Sequence, residues 1–219
     1  MIDIIDRNIF LLLHKSINSY SYVSKKELEN WLVLFYKVLN SFVEIPKTDL
    51  EESFKRLKHL YIKKNNYFVR TDDFPDKMAF IARGVFRVFY NTEKGDEKIL
   101  VFREEGCMLS AFSAYLKNEK SWYNIQALED SDLLYVSFSD YKKFINKSLC
   151  WQIVNSKYIE MLFIEKEERE SEFLSDNAEI RYKKFIKRYP NIENRINQYH
   201  VAAYLGITPV ALSRIKNKL

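Results

Sequence analysis

Thr208, Pro209, Val210, Ser213, Arg214 and Asn217 share one side of a short helical segment near the end of the sequence. Their types suit contact with double-stranded DNA. The arginine fork matches O6 and N7 of guanine, and the methyls of Val210 suit a thymine methyl. Hydroxyl and amide side chains can serve bases or phosphates. Lys216 and Lys218 flank the face and are expected on phosphates, which position a protein without specifying sequence.

Such a face needs a scaffold, and the preceding residues read as one. Val201, Ala202, Leu205, Ile207, Leu212 and Ile215 are spaced to face one small core. Ala202 is small where two helices must cross closely. Gly206 falls where a left-handed residue ends the first helix. Thr208 can cap the second helix, with Pro209 at its first position, where a missing N–H costs nothing. This is the grammar of a helix-turn-helix, whose second helix enters the DNA major groove.

Charge agrees. Residues 181–219 hold nine Lys or Arg against one acid, Glu193, on a chain whose net charge is +5, so the rest is mildly acidic. A basic terminal unit on an acidic body suits DNA binding coupled to sensing or assembly. Hydrophobic content of 47% supports a real core, and four Gly with four Pro leave little for a long disordered linker. Cys107 and Cys150 form no CxxC pair, so no disulfide framework or thiolate metal site is expected. His14, His59 and His200 lie in separate segments without ligand spacing. There is no GxGxxG, Walker A or GxSxG string. The sequence therefore reads as no enzyme, with no cofactor and no metal. The apolar run from Ile9 to Leu13 is too short to span a bilayer and lacks a cleavage pattern, so a soluble, cytoplasmic protein without membrane partners is expected.

The order of elements gives an α+β fold. Helices are expected over 3–19 and 25–40, the latter opened by a Ser24/Glu27 capping box, with a short one near 49–55. Runs at 57–62, 67–70, 78–82, 85–90, 98–102, 122–128 and 132–137 are aromatic and β-branched, and they predict an antiparallel β-roll or barrel. Ser139 and Asp140 can cap a short helix. A long helix follows from Leu149 to about Phe173, apolar on more than one face in its first half, as a dimerising helix would be. Its acidic run from Glu165 to Glu170 reads as a solvated face. Asp176 with Glu179 can cap the next helix, which Pro190 ends. The expected units are 1–148 (helical extension and roll), 149–174 (dimerisation helix) and 175–219 (helix-turn-helix).

This order resembles the Crp/Fnr family of bacterial transcription regulators over roughly residues 40–219. The strings that carry the resemblance are GVFRVFY from Gly84, QALEDS from Gln126, AEIRY from Ala178, YLGITP from Tyr204 and LSRI from Leu212. They look most like the branch common in Bacteroidetes and some Firmicutes. The resemblance implies a cyclic-nucleotide-binding-type roll, a homodimer, a palindromic DNA operator and a small-molecule effector. It places the effector pocket at Gly106, Cys107, Ser121 and Trp122.

Two departures change what it implies. Where cyclic-AMP-binding members carry a Gly-Glu pair and an Arg-Ser pair, this chain has Gly106-Cys107 and Ser121-Trp122. Neither supplies the bidentate positive charge that a phosphate favours, so cyclic AMP is not the expected ligand. Val210 stands where the branch often has Glu, which implies a different operator. With the sequence ending at Leu219, no wing hairpin is expected behind the recognition helix. A second reading stays open: a small-molecule-binding or protein-interaction roll whose helix-turn-helix no longer binds DNA.

Overall fold

Ser24 starts the first helix as its spacing predicts: its hydroxyl accepts from the Glu27 amide, and the Glu27 carboxylate accepts from the Ser24 amide. We describe residues 23–93 and 95–218 of the chain from a computed structural model. The helix expected over 3–19 lies outside the described residues. Helix α1 (Lys25–Phe42) and α2 (Lys47–Arg56) precede eight strands: β1 (Lys58–Ile62), β2 (Tyr67–Val69), β3 (Lys77–Arg83), β4 (Phe86–Asn91), β5 (Glu97–Arg103), β6 (Met108–Leu109), β7 (Asn124–Ala127) and β8 (Ser131–Ser137). A short helix α3 (Phe112–Lys117) sits between β6 and β7. Then come α4 (Phe138–Lys147), α5 (Leu149–Ser175), α6 (Ala178–Arg188), α7 (Gln198–Leu205) and α8 (Pro209–Lys218).

The strands form two antiparallel four-stranded sheets, ordered β1-β8-β3-β6 and β2-β7-β4-β5. Their inner faces share one core, with Ile81 and Leu133 from the first sheet against Val88 and Ile125 from the second. The first sheet is covered on both sides. On β3, Ala79 and Ile81 face the roll interior while Met78, Phe80 and Ala82 pack with Leu32 and Phe35 of α1 and Trp151 of α5. Burial on both faces is why this strand reads as a continuous apolar run rather than an alternation. Strand β6 and helix α3 were not foreseen; two and six residues carry too little periodicity to register.

Two caps differ from expectation. Helix α4 is capped by Ser137, whose hydroxyl accepts from the Asp140 amide, rather than by the Ser139-Asp140 pair. Helix α6 is capped by Asn177 through the Ile180 amide, while Asp176 pairs with Lys184 at 2.6 Å. In both cases the chosen cap is the last extended residue before the helix, the position from which a side chain can reach the free amides.

Gly84 has an unforeseen role beyond a turn. Its φ is +117°, and a Cβ there would sit 2.0 Å from the Ser131 hydroxyl oxygen. Only glycine lets this backbone cross so closely to β8.

Candidate nucleic-acid interface and adjoining cavity

Helices α7 and α8 meet at Gly206, whose φ of +68° ends α7 in the left-handed region. The Thr208 hydroxyl accepts from the Ala211 amide at 3.2 Å, and Pro209 is the first residue of α8. Val201, Ala202, Leu205 and Leu212 are buried, with Ile207 and Ile215 packed against them. Arg181 donates to the Leu205 carbonyl at 3.0 Å and to the Asp176 carbonyl at 2.6 Å, tying the end of α7 to the start of α6.

All six face residues, Thr208, Pro209, Val210, Ser213, Arg214 and Asn217, are exposed together. Val210 is 63% exposed, which is unusual for valine and leaves its methyls available. The two lysines are differently placed. Lys216 lies 2.7 Å from Glu193 and donates to Gln198, while Lys218 lies 3.0 Å from Glu179. Either would have to exchange a surface ion pair for a phosphate. Such a pair contributes about 0–1 kcal/mol, so the exchange is inexpensive.

The scaffold does not have the small private core that its spacing suggested. Phe102 of β5 is 1% exposed and packs on Phe185, Tyr189 and Tyr204, with ring centroids 6.1, 5.7 and 5.5 Å away. The interior of α6 to α8 is therefore continuous with that of the roll. Polar groups seal the joint. Arg195 holds Glu105 at 2.7 and 2.8 Å and also pairs with Glu129. Arg87 pairs with Glu97, donates to Gln126 at 2.8 Å and donates to His200 Nδ1 at 3.1 Å.

Burial, and then the nearby Arg87 charge, lower the His200 pKa to about 4. The neutral ring is thus the native form. As pH falls from about 6.5 toward 4, the unfolded chain binds the extra proton, so stability should decline across that window and level off below it. His200→Gln should flatten urea-measured stability between pH 6.5 and 5, above the range where carboxylates titrate. An unchanged slope would exclude His200 as its source.

A cavity of about 340 Å³ lies where β4, β5, α3 and α5 meet α6 and α7. Its apolar wall includes Val88, Leu100, Leu109, Phe112, Leu116 and Leu162. Its charged wall comprises Arg103, Glu165, Lys166, Arg169 and Arg188, and Tyr189 and Tyr204 close that side. Of the expected pocket residues only Trp122 lines it. Gly106 lies instead near Leu34 and Val38 of α1, and Cys107 is packed against the roll core. The buried Ser121 hydroxyl donates to the Tyr123 carbonyl at 2.8 Å.

The cationic wall is strongly coupled. Arg103 meets Glu165 through two bonds of 2.7 and 2.5 Å; burial opposes its charge, but this carboxylate outweighs burial and raises its pKa. Arg169 is 6% exposed, lies 3.3 Å from Glu172 and sits 3.6 Å over the Tyr204 ring; burial lowers its pKa. Burial also pushes the Tyr158 hydroxyl up to about 12, so it is a neutral donor at the cavity wall.

These residues sit partly in the run that reads as solvated from sequence. Yet Trp151, Val154, Tyr158, Leu162, Glu165, Arg169 and Glu172 recur every three or four positions along α5. The charged members continue the apolar stripe, and that continuity was the available signal.

Among the described residues, no group of three or more His, Cys, Asp or Glu side chains is placed to hold a metal. His59 is buried, with Nε2 2.8 Å from Asp132 Oδ1 and its ring stacked on Trp31. No described helix is long and apolar enough to cross a membrane.

Residues 59–148 match the cyclic nucleotide-binding domain family. No match was found among curated protein sequences. Solved structures share the fold across most of the chain. A doubly substituted CooA from Carboxydothermus hydrogenoformans is 17% identical, with a TM-score of 0.64, covering 84% of this chain and 83% of that one. A Crp/Fnr family protein from Eubacterium rectale is 16% identical, with a TM-score of 0.64 and coverage of 83% and 85%. The catabolite activator protein of Thermus thermophilus is 18% identical, with a TM-score of 0.53 and coverage of 83% and 86%. The fold is thus a cyclic-nucleotide-binding-type β-roll followed by helices, as in these regulators.

Proposed function

We propose that this chain is a sequence-specific DNA-binding transcription regulator of the Crp/Fnr type, acting as a homodimer and answering to a small molecule other than cyclic AMP. The observation that carries this reading is α8. It is a capped helix with its apolar side buried, and Thr208, Val210, Ser213, Arg214 and Asn217 stand together in solvent on a basic terminal unit. Pairing of two chains along α5 would offer two such helices to a palindromic site about one DNA turn, roughly 34 Å, apart. The reading against cyclic AMP rests on the resemblance: Gly106-Cys107 and Ser121-Trp122 stand where cyclic-AMP-binding members carry Gly-Glu and Arg-Ser pairs, and the arginines of the cavity wall come from other positions.

Selection of bound sites from random DNA tests the reading. A palindromic consensus should emerge, and binding should weaken steeply with salt. Arg214→Ala should cost about 1–3 kcal/mol of specific binding and relax one position in each half-site. If the wild type selects no consensus, or if Arg214→Ala keeps the ratio of specific to non-specific affinity, the reading of α8 fails. The chain would then fit a roll that serves small molecules or proteins alone.

A further inference from the structure

We infer that the cavity takes a carboxylic acid with an aromatic or short aliphatic body, whose carboxylate competes with Glu165 for the Arg103 guanidinium. This deepens the regulatory reading and rests on it only for the consequence to DNA. The argument starts from the distribution of charge. Four cations, Arg103, Lys166, Arg169 and Arg188, enter the wall from β5, α5 and α6, and Glu165 is the one carboxylate among the lining residues. The lining from α3 and the first half of α5 is apolar: Phe112, Leu116, Ile159 and Leu162 belong to it, the Phe112 ring lies 5.6 Å from the Tyr158 ring, and the nearby Lys117 ammonium lies 4.8 Å over the Trp122 ring. A ligand that matches this lining carries its negative charge at Arg103 and Glu165 and an apolar body beside Phe112, Leu116 and Leu162.

The shape of the anion follows from what already occupies the guanidinium. Both Glu165 oxygens accept from Arg103, a two-pronged geometry that a carboxylate satisfies as a planar pair. Glu165 is thus an internal stand-in for the ligand group. Arg169 adds pull: it is buried, donates to the Tyr204 carbonyl, and among the described residues forms an ion pair with Glu172, which Arg188 shares at 2.7 Å. With Glu168, which lies 3.2 Å from Arg188, three carboxylates stand against the four cations of this wall, so a ligand carboxylate meets a surplus of one positive charge. The cavity volume is at the small end of the range for ligand sites, about 300–1,000 Å³, which suits a compact acid.

Displacement of Glu165 reaches the rest of the molecule. Glu165 belongs to α5, and Arg188 and Tyr204, on the same wall, belong to the helices that carry the DNA-facing surface. An acid seated at Arg103 changes the partners of one and the packing of the other, so its affinity differs between arrangements of those helices.

The test is calorimetric titration of the full chain, without DNA, with 4-phenylbutyrate and octanoate, their uncharged amides, and cyclic AMP. The acids should bind, and each amide should bind at least about tenfold more weakly, since a charge-assisted pair is lost. Glu165→Gln, which removes the competitor without changing cavity volume, should tighten acid binding about tenfold. Arg103→Gln should abolish it; if that variant fails to fold, Glu165→Gln decides alone. The inference is overturned if neither acid binds, if amides bind as well as acids, if cyclic AMP binds more tightly than both, or if Glu165→Gln leaves acid affinity unchanged or lower. Because DNA is absent, acid binding by a protein that selects no DNA site would sink the regulatory reading and leave this one standing.

Discussion

Phe102→Ala should lower folding stability by about 3–5 kcal/mol, the cost of deleting a fully buried phenyl ring. The ring is 1% exposed and touches three aromatic partners from the segment beyond α5: Phe185 of α6, Tyr189 just past its end, and Tyr204 of α7. Those partners also pack on one another: Phe185 lies 5.3 Å and Tyr189 lies 5.7 Å from Tyr204. Removal of Phe102 leaves a void bounded by rigid rings, which collapse poorly, so the upper part of the range is expected. The same change should make unfolding lose cooperativity, because Phe102 is where the roll core continues into the helical core. Urea denaturation followed by backbone and by tyrosine signals checks this. A loss below about 1 kcal/mol with coincident transitions would mean that the joint does not hold the two parts together.

That joint shows where the sequence was readable. The α7-Gly206-α8 unit was legible because each of its instructions is local: Gly206 for a left-handed turn, Thr208 for a cap, Pro209 at the first position, and a periodic apolar set. The strands were legible for the same reason, through short runs of aromatic and β-branched residues. What stayed hidden depends on distant partners. Arg195 is 90 residues from Glu105, and Arg87 is 113 residues from His200. No spacing rule links them. The cavity wall was hidden by a local rule that misled. Alternating charges on a helix suggest solvent, and only the three-four recurrence of Glu165, Arg169 and Glu172 with Tyr158 and Leu162 betrays burial. The expected pocket at Gly106, Cys107 and Ser121 came from resemblance alone, and here those positions serve the α1 contact, the roll core and a turn.

The arrangement has a mechanical consequence. Tyr204 and Arg188 are at once cavity wall and part of the α6–α8 unit proposed to face DNA, and the Arg188 guanidinium donates to the Tyr204 hydroxyl at 2.9 Å. Under the proposed function a ligand would need no long relay, because it would touch the unit whose arrangement it biases. Coupling through a packed wall of this kind is two-way: an operator that favours one arrangement of the helices must change acid affinity by the same factor.

Charging the outer face of α5 should separate two chains and weaken operator binding by about 10²–10⁴-fold, the gain that linkage of two sites ordinarily provides. Phe163 is 61% exposed and Ile164 is 55% exposed, beside Met161 at 42%. Phe163 and Ile164 turn away from the buried stripe that runs through Val154 and Tyr158, while Met161, seven residues from Val154, lies at the edge of that stripe. A phenyl and a branched aliphatic side chain left in water on adjacent positions gain when a second copy covers them. Replacing both with Glu places four new carboxylates across the symmetric contact, next to an existing run of acids, and like charges then oppose pairing. The double variant should sediment as a monomer, keep its folding midpoint within about 3 °C of the monomeric baseline because neither side chain belongs to the core, and bind a palindrome no better than a single half-site. Light scattering and titration against both DNAs read these outcomes separately. If the variant stays dimeric and keeps its preference for the palindrome, two chains do not meet along α5. If it becomes monomeric with operator affinity intact, one α8 suffices for recognition, and the two-fold reading of the DNA contact is wrong.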